Sequence, residues 1–320
     1  YSIIKYTLRL YFPFFFKKVY VEGLDKIPKN ASIIFVPNHQ NTFVDATLVA
    51  FSLPKSVFFL VRSDVFVNTL LNKTLALFHL IPIYRKQDGA KDIVEKNRST
   101  FTHCFQLIKS KKPILIFPEG TSEAEYKLNN FKKGAAKIAL NFLEQDNFKT
   151  PLYFVPVAIN YENHHNARSG VWVKYCDPIP INHLKDAYTD NPARCITQLT
   201  KTLRQSLDPF VIQETPALNK EKIQLILNEA RLKNTSQITD ILSQLKTEKE
   251  YQIRTENKTA VNKLLTILLK VMFSPSTTLV SYIRTKANDN DFTLAFKCFG
   301  WLLFGNIQIA LMILTVYLIW

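Results

Sequence analysis

The chain has 320 residues, 47% of them hydrophobic and 21% charged, which excludes a disordered polymer and allows one large domain or two smaller ones. Lysine and arginine total 41 against 26 acidic residues, and the net charge of +15 points to an anionic partner: nucleic acid, an anionic membrane surface or a phosphorylated substrate. Seven glycines cannot be arranged into G-x-G-x-x-G, G-x-S-x-G or G-x-x-x-x-G-K-[ST], so a dinucleotide fingerprint, a nucleophile elbow and a P-loop are excluded.

Taken in chain order, residues 1–18 are basic and aromatic: Lys5, Arg9, Lys17 and Lys18 flank Tyr11, Phe12, Phe14, Phe15 and Phe16. The block is too short to span a bilayer. It reads as a membrane-interface segment, with a terminal helix packed on the domain as the alternative. From about residue 32 short apolar runs alternate with longer helical ones. Strands are expected at 32–36, 56–61, 81–84, 114–117, 153–160 and 171–175, and helices at 44–53, 70–80, 93–108 and 133–143. That alternation predicts an α/β fold with a mixed, largely parallel sheet flanked by helices, over residues 19–212.

After Pro209 the spacing of Ile223, Ile226, Leu227 and Ala230, and of Ile238, Ile241, Leu242 and Leu245, predicts helices. They read as a charged arm over 213–258. Residues 259–320 read as a membrane-associated region. Within it 299–320 holds 22 residues without a formal charge. As a helix that run measures about 33 Å and reads as a transmembrane span. The stretch 264–283, interrupted by Lys270 and Pro275, reads as interfacial or re-entrant. Arg284, Lys286 and Lys297 precede the span, so the α/β domain on its N-terminal side is expected on the cytoplasmic face of a membrane. The chain starts at Tyr1 and stops at Trp320 inside an apolar run, so both ends read as cut. Cys104, Cys176, Cys195 and Cys298 form no C-x-x-C, which supports neither a zinc site nor a disulfide framework. No metal is called for, and nothing fixes an oligomeric state.

Four segments fall at predicted strand ends, where α/β folds bind ligands. In Pro37–Asp45, His39 is followed by Asp45, a base with a carboxylate to orient it. In Ile81–Arg85, Arg85 offers a guanidinium fork suited to phosphate or carboxylate. Phe117–Ser122 runs through Glu119, Gly120, Thr121 and Ser122, a turn able to present N–H groups and hydroxyls to an anion; Phe131–Gly134 then opens a helix whose N-terminus favours anions. Val155, Pro156 and Val157 belong to a buried strand through Tyr161 with a proline at a bulge or edge. His164 and His165, like His79, His103 and His183, read as surface residues.

In this order the four segments resemble the glycerolipid acyltransferase superfamily, which includes glycerol-3-phosphate and lysophosphatidic acid acyltransferases. The resemblance covers about residues 19 to 180. Its blocks are N-H-x-x-x-x-D, an arginine block, F-P-E-G-T-[RS] and a V-P-V strand, and Val21–Leu24 resembles the family's lead-in strand. It implies transfer of a fatty acyl group from acyl-CoA or acyl carrier protein to a phosphorylated glycerol acceptor, with membrane lipids as partners and no cofactor. His39 is then the general base and Asp45 its partner. Arg85 holds the phosphate, helped by the Glu119–Ser122 turn. Glu119 orients Arg85 or a substrate hydroxyl, and Val155, Pro156 and Val157 line the acyl side. One departure stands out: five residues separate His39 from Asp45 where the family has four. A continuous helix cannot keep the pair together at that spacing, so the extra residue has to be absorbed in the turn at Gln40–Asn41. The His39-Gln40-Asn41 form resembles the glycerol-3-phosphate/dihydroxyacetone-phosphate branch, which makes those two compounds the expected acceptors. 1-Acyl-glycerol-3-phosphate is the alternative, and a non-catalytic membrane scaffold of the same fold is the alternative of another class. A nucleic-acid partner is disfavoured, because the aromatics cluster in apolar runs rather than among the basic residues.

Overall fold

The computed structural model describes residues 12, 15–66, 75–85, 92–166 and 168–246. The expected transmembrane helix at 299–320 and the apolar stretch 264–283 lie outside the described residues. Among the described residues, no helix is long and apolar enough to cross a membrane.

Among the described residues, eight strands form one sheet: β1 (Lys18–Glu22), β2 (Ser32–Pro37), β3 (Phe58–Arg62), β4 (Leu80–Ile83), β5 (Ile114–Leu115), β6 (Leu152–Tyr161), β7 (Gly170–Tyr175) and β8 (Ile179–Pro180). Their order is β1-β7-β6-β2-β5-β3-β4, with β8 also paired to β6. Pairing is parallel except where β7 and β8 meet β6. The sheet is thus mixed and mostly parallel, as the alternation of apolar runs predicts. The central strands are covered on both faces, which is why they read as continuous apolar runs.

Strand alternation splits the core in two. Ile33 and Phe35 of β2, with Val155, Val157, Ile159 and Tyr161 of β6, face α1 (Thr42–Ser52) through Val44, Leu48 and Val49. Ile34 and Val36, with Leu152 and Phe154, face α2 (Ile93–Lys109) and α3 (Gly134–Gln145). Helices α4 (Lys185–Asp190) and α5 (Pro192–Leu207) join that second face, to which α5 contributes Cys195, Ile196, Leu199 and Leu203. The segment 70–80, expected to be helical, is described only from residue 75, and Leu80 opens β4 by pairing with Phe59.

Two features bear on the expected organisation. Phe12, Phe15 and Phe16 are buried in the core under α1, where Phe12 packs on Phe51 at 4.8 Å between ring centroids. These described residues of the N-terminal segment pack on the domain, as its alternative reading expects. The boundary at 212/213 is also not a break in packing. Helix α6 (Lys220–Leu232) buries Ile223, Ile226, Leu227 and Ala230, and α7 (Ile238–Lys246) buries Ile238 and Ile241, all against Tyr20, Tyr126 and Trp172. Tyr20 stacks on Trp172 at 5.0 Å, and the indole N–H donates to Thr235 O at 2.9 Å. The predicted arm is therefore a further layer of the domain. Its apolar stripe needs a partner, and the rings of Tyr20 on β1 and Trp172 on β7 supply one.

Candidate active site

The parallel strands β2, β3, β4, β5 and β6 end on one side of the sheet, and three of the four sequence segments meet there. Asn38, just past β2, starts the construction. Its side chain donates to Ile159 O at 3.0 Å and accepts from Ile159 N–H at 2.7 Å, which extends the pairing of β2 with β6 after the strand has stopped. Both groups are buried, so nothing else can satisfy them. Asn38→Ala orphans the N–H and C=O of Ile159 together and will cost roughly 2–4 kcal/mol, read as a lower urea midpoint with an unchanged slope.

The turn that follows absorbs the extra residue between His39 and Asp45. Gln40 and Asn41 precede α1, and Thr42 takes a left-handed φ of 35°, a strained value for a β-branched residue. Helix α1 then starts with Asp45 in its first turn. The outcome is a contact of 2.9 Å between His39 Nδ1 and Asp45 Oδ2. Asp45 Oδ2 also accepts the Asn41 N–H at 2.7 Å, and Asp45 Oδ1 accepts the Tyr161 hydroxyl at 2.5 Å. The carboxylate is fully buried at the helix N-terminus, where the backbone dipoles favour negative charge. The His39 side chain is 15% exposed, and its ring stacks on Phe117 at 3.8 Å. With Nδ1 turned to Asp45, Nε2 is the ring nitrogen presented for proton transfer.

The Glu119 block braces this turn. Glu119 Oε1 accepts the His39 N–H at 2.9 Å and Oε2 the Asn129 N–H at 3.3 Å. Glu123 N–H donates to His39 O at 3.3 Å, and Ser122 Oγ accepts the Thr42 N–H at 2.8 Å. Burial pushes the Glu119 carboxyl above its usual range, against the pull of those N–H donors. Glu119 is thus a buried strut for the His39 backbone. Ser122, expected to bind substrate, holds the start of α1.

Arg85, two residues beyond β4, donates from Nη1 to Gly120 O at 2.5 Å. Gly120 has φ 72°, and a methyl group there would lie 3.0 Å from Lys132 Cδ and Nζ. The turn therefore requires glycine, and it gathers Arg85 and Lys132 against one backbone loop, with exposed Thr121 beside them. Lys132 was legible only as part of the Phe131–Gly134 block. Two cations at one turn are chemically suited to an anion. Among the described residues, no group of three or more His, Cys, Asp or Glu is placed to hold a metal ion.

Two further sets of residues singled out from sequence are buried. Val155 and Val157 are packed in the core under α1, and Pro156 sits where the β6–β7 ladder ends, a position that needs no N–H. The strand also sends Tyr161 to the site, where its hydroxyl reaches Asp45. His164 is buried, not on a surface loop. Asn41 Nδ2 donates to its carbonyl at 2.9 Å, its Nε2 meets Gln40 Oε1 at 3.1 Å, and its ring packs on Tyr126 at 4.5 Å. Burial pushes that ring down to about 3, so it stays neutral and serves as a support for the Gln40–Asn41 turn.

A buried carboxylate turned to a histidine, with two cations at a neighbouring turn, is an arrangement chemically suited to proton abstraction beside an anion. Residues 18–160 match the family model described as Acyltransferase, and this part of the chain is similar to the glycerolipid acyltransferase superfamily. Over 150 residues it is 28% identical to a chloroplastic 1-acyl-sn-glycerol-3-phosphate acyltransferase of Arabidopsis thaliana, covering 46% of this chain and 37% of that protein. A glycerol-3-phosphate O-acyltransferase of Saccharomyces cerevisiae is 30% identical over 112 residues, which is 35% of this chain and 15% of that protein. The chain thus spans well under half the length of these relatives. The solved 1-acyl-sn-glycerophosphate acyltransferase PlsC of Thermotoga maritima is 19% identical, with a TM-score of 0.45 over 65% of this chain and 79% of that one.

Proposed function

We propose that the chain transfers a fatty acyl group from an acyl thioester, acyl-CoA or acyl carrier protein, to the free hydroxyl of 1-acyl-glycerol-3-phosphate in phospholipid synthesis. The observation that carries this reading is the His39–Asp45 contact of 2.9 Å, held on the same sheet end as the Arg85–Gly120 turn. The names of the chloroplast relatives favour this acceptor over glycerol-3-phosphate. His39 Nε2 takes the hydroxyl proton as the oxygen attacks the thioester carbonyl, and Asp45 stabilises the imidazolium that forms. The tetrahedral adduct collapses by breaking the C–S bond, and the imidazolium returns its proton to the departing thiolate. No covalent enzyme intermediate is needed. Arg85, with Lys132, holds the acceptor's phosphate.

Attachment to a membrane through residues 299–320, with the catalytic domain on the cytoplasmic face, is part of the same proposal, since both substrates partition into bilayers. A second reading, with glycerol-3-phosphate or dihydroxyacetone phosphate as acceptor, is favoured by the yeast relative and by the His39-Gln40-Asn41 turn. Offering the three acceptors in parallel with one acyl-CoA decides between them. The expected result is the highest kcat/KM on 1-acyl-glycerol-3-phosphate, and preference for an unacylated acceptor overturns that choice. No transfer to any acceptor leaves the scaffold reading. Arg85→Ala is expected to raise KM for the phosphorylated acceptor at least about tenfold, as loss of a charge-assisted contact does. KM for the thioester stays near its original value, and an equal rise in both refutes the phosphate role.

A further inference from the structure

The two oxygens of Asp45 have different duties. Oδ2 faces His39 and the Asn41 N–H, while Oδ1 is held by the Tyr161 hydroxyl at 2.5 Å. Asp45 and Tyr161 are both sealed from solvent, so bulk water cannot take the place of that hydroxyl. The alternation of β6 puts it there. Val155, Val157, Ile159 and Tyr161 share the face that α1 covers, and Asp45 lies in the first turn of α1. The Tyr161 ring is backed at 5.5 Å by the ring of His164, which Gln40 holds. A carboxylate rotates easily about its last bond when nothing restrains it. Tied at Oδ1, Asp45 keeps Oδ2 aimed at the imidazole. The same hydroxyl draws charge toward Oδ1 and so moderates the pull on His39.

We propose that Tyr161 is a positioning residue of the acyl-transfer site, acting through Asp45 to fix the orientation and basicity of His39. This rests on His39 being the general base. The other titratable groups around the pair are Glu119, which reaches the His39 N–H, neutral His164, and Arg85 with Lys132 at the Gly120 turn. Tyr161→Phe leaves all of them in place and removes one oxygen.

The test combines kinetics with a readout that needs no turnover. In Tyr161→Phe, kcat is expected to fall roughly tenfold with both KM values unchanged, the worth of one hydrogen bond to a charged group. The acid limb of the kcat profile should move to higher pH by about half a unit, because the carboxylate then holds the imidazolium more tightly. In an Asp45→Asn background the same substitution should cost nothing further, which a general loss of stability would not reproduce. The His39 ring resonance, identified by its absence in His39→Gln, should show the same upward shift of its NMR titration midpoint. An unchanged midpoint in folded Tyr161→Phe overturns the proposal whether or not the chain transfers acyl groups. A shifted midpoint in a chain with no transfer activity leaves the proposed function, not the Tyr161–Asp45–His39 coupling, as the failed statement.

Discussion

Replacing His39 with alanine will lower kcat for acyl transfer by at least about 10² to 10⁴, the usual worth of a general base, and will leave the fold standing. The two halves of that expectation have separate causes. The imidazole is the group that presents Nε2 to a substrate hydroxyl, because its Nδ1 is committed to Asp45. The turn, in contrast, is pinned by the His39 backbone: its N–H donates to Glu119 and its carbonyl accepts from Glu123. Alanine keeps both of those bonds. Asp45 loses one donor and retains Asn41 N–H and the Tyr161 hydroxyl, so the buried carboxylate is not abandoned. Steady-state kinetics paired with urea unfolding separates the two. A folded His39→Ala protein with full acyl transfer refutes the mechanism. A protein that fails to fold refutes the account of the turn.

Arg231→Ala will destabilise the protein by about 3 kcal/mol, because it strips the partner from a nearly buried carboxylate. Arg231 Nε donates to Glu162 Oε2 at 2.7 Å, with 8% and 11% of the two side chains exposed. The same oxygen accepts Gly170 N–H at 2.6 Å, and Arg231 Nη2 donates to Asn228 Oδ1 at 2.5 Å. The guanidinium therefore fastens α6 to the turn between β6 and β7, beside the stacked Tyr20 and Trp172. Removing it leaves an anion in a poorly solvated place. Arg231→Met with Glu162→Leu removes both charges and should recover most of the loss, since the cost comes from the stranded charge more than from the missing pair. Urea midpoints of the single and double variants check this. A shift below about 1 kcal/mol for Arg231→Ala, the range of an exposed pair, means that apolar contacts alone hold the layer.

The strands were legible because they are buried on both faces. Runs such as Ser32–Pro37 and Leu152–Tyr161 stay apolar at consecutive positions, and their observed limits differ from the expected ones by one or two residues. Helix α5 was overlooked although its signals are local. Asn191 caps it by accepting Arg194 N–H at 2.9 Å, and Pro192 stands in its first turn. The surfaces that receive the arm and the aromatic N-terminal segment are not legible in sequence for another reason. An amphipathic stripe shows that a helix needs an apolar partner without saying which surface provides it. Trp172, Tyr20 and Phe51 turned out to be those surfaces.

At the site, His39, Asp45, Arg85 and Glu119 could be singled out because their order and spacing follow a motif, and a motif reports which residue types the chemistry needs. The roles of Glu119, Ser122 and Tyr161 could not be read that way. Each is defined by a hydrogen bond to a residue 80 or more positions distant: Glu119 to His39, Ser122 to Thr42, Tyr161 to Asp45. Periodicity and local spacing in the amino-acid sequence carry the α/β alternation, the resemblance to acyltransferases and the choice of His39 and Asp45. Only the tertiary structure decided that the longer spacing still closes the pair, that Glu119 braces the His39 backbone and that Tyr161 of β6 reaches Asp45. Those outcomes depend on which strands become neighbours in the sheet, and no local pattern encodes that.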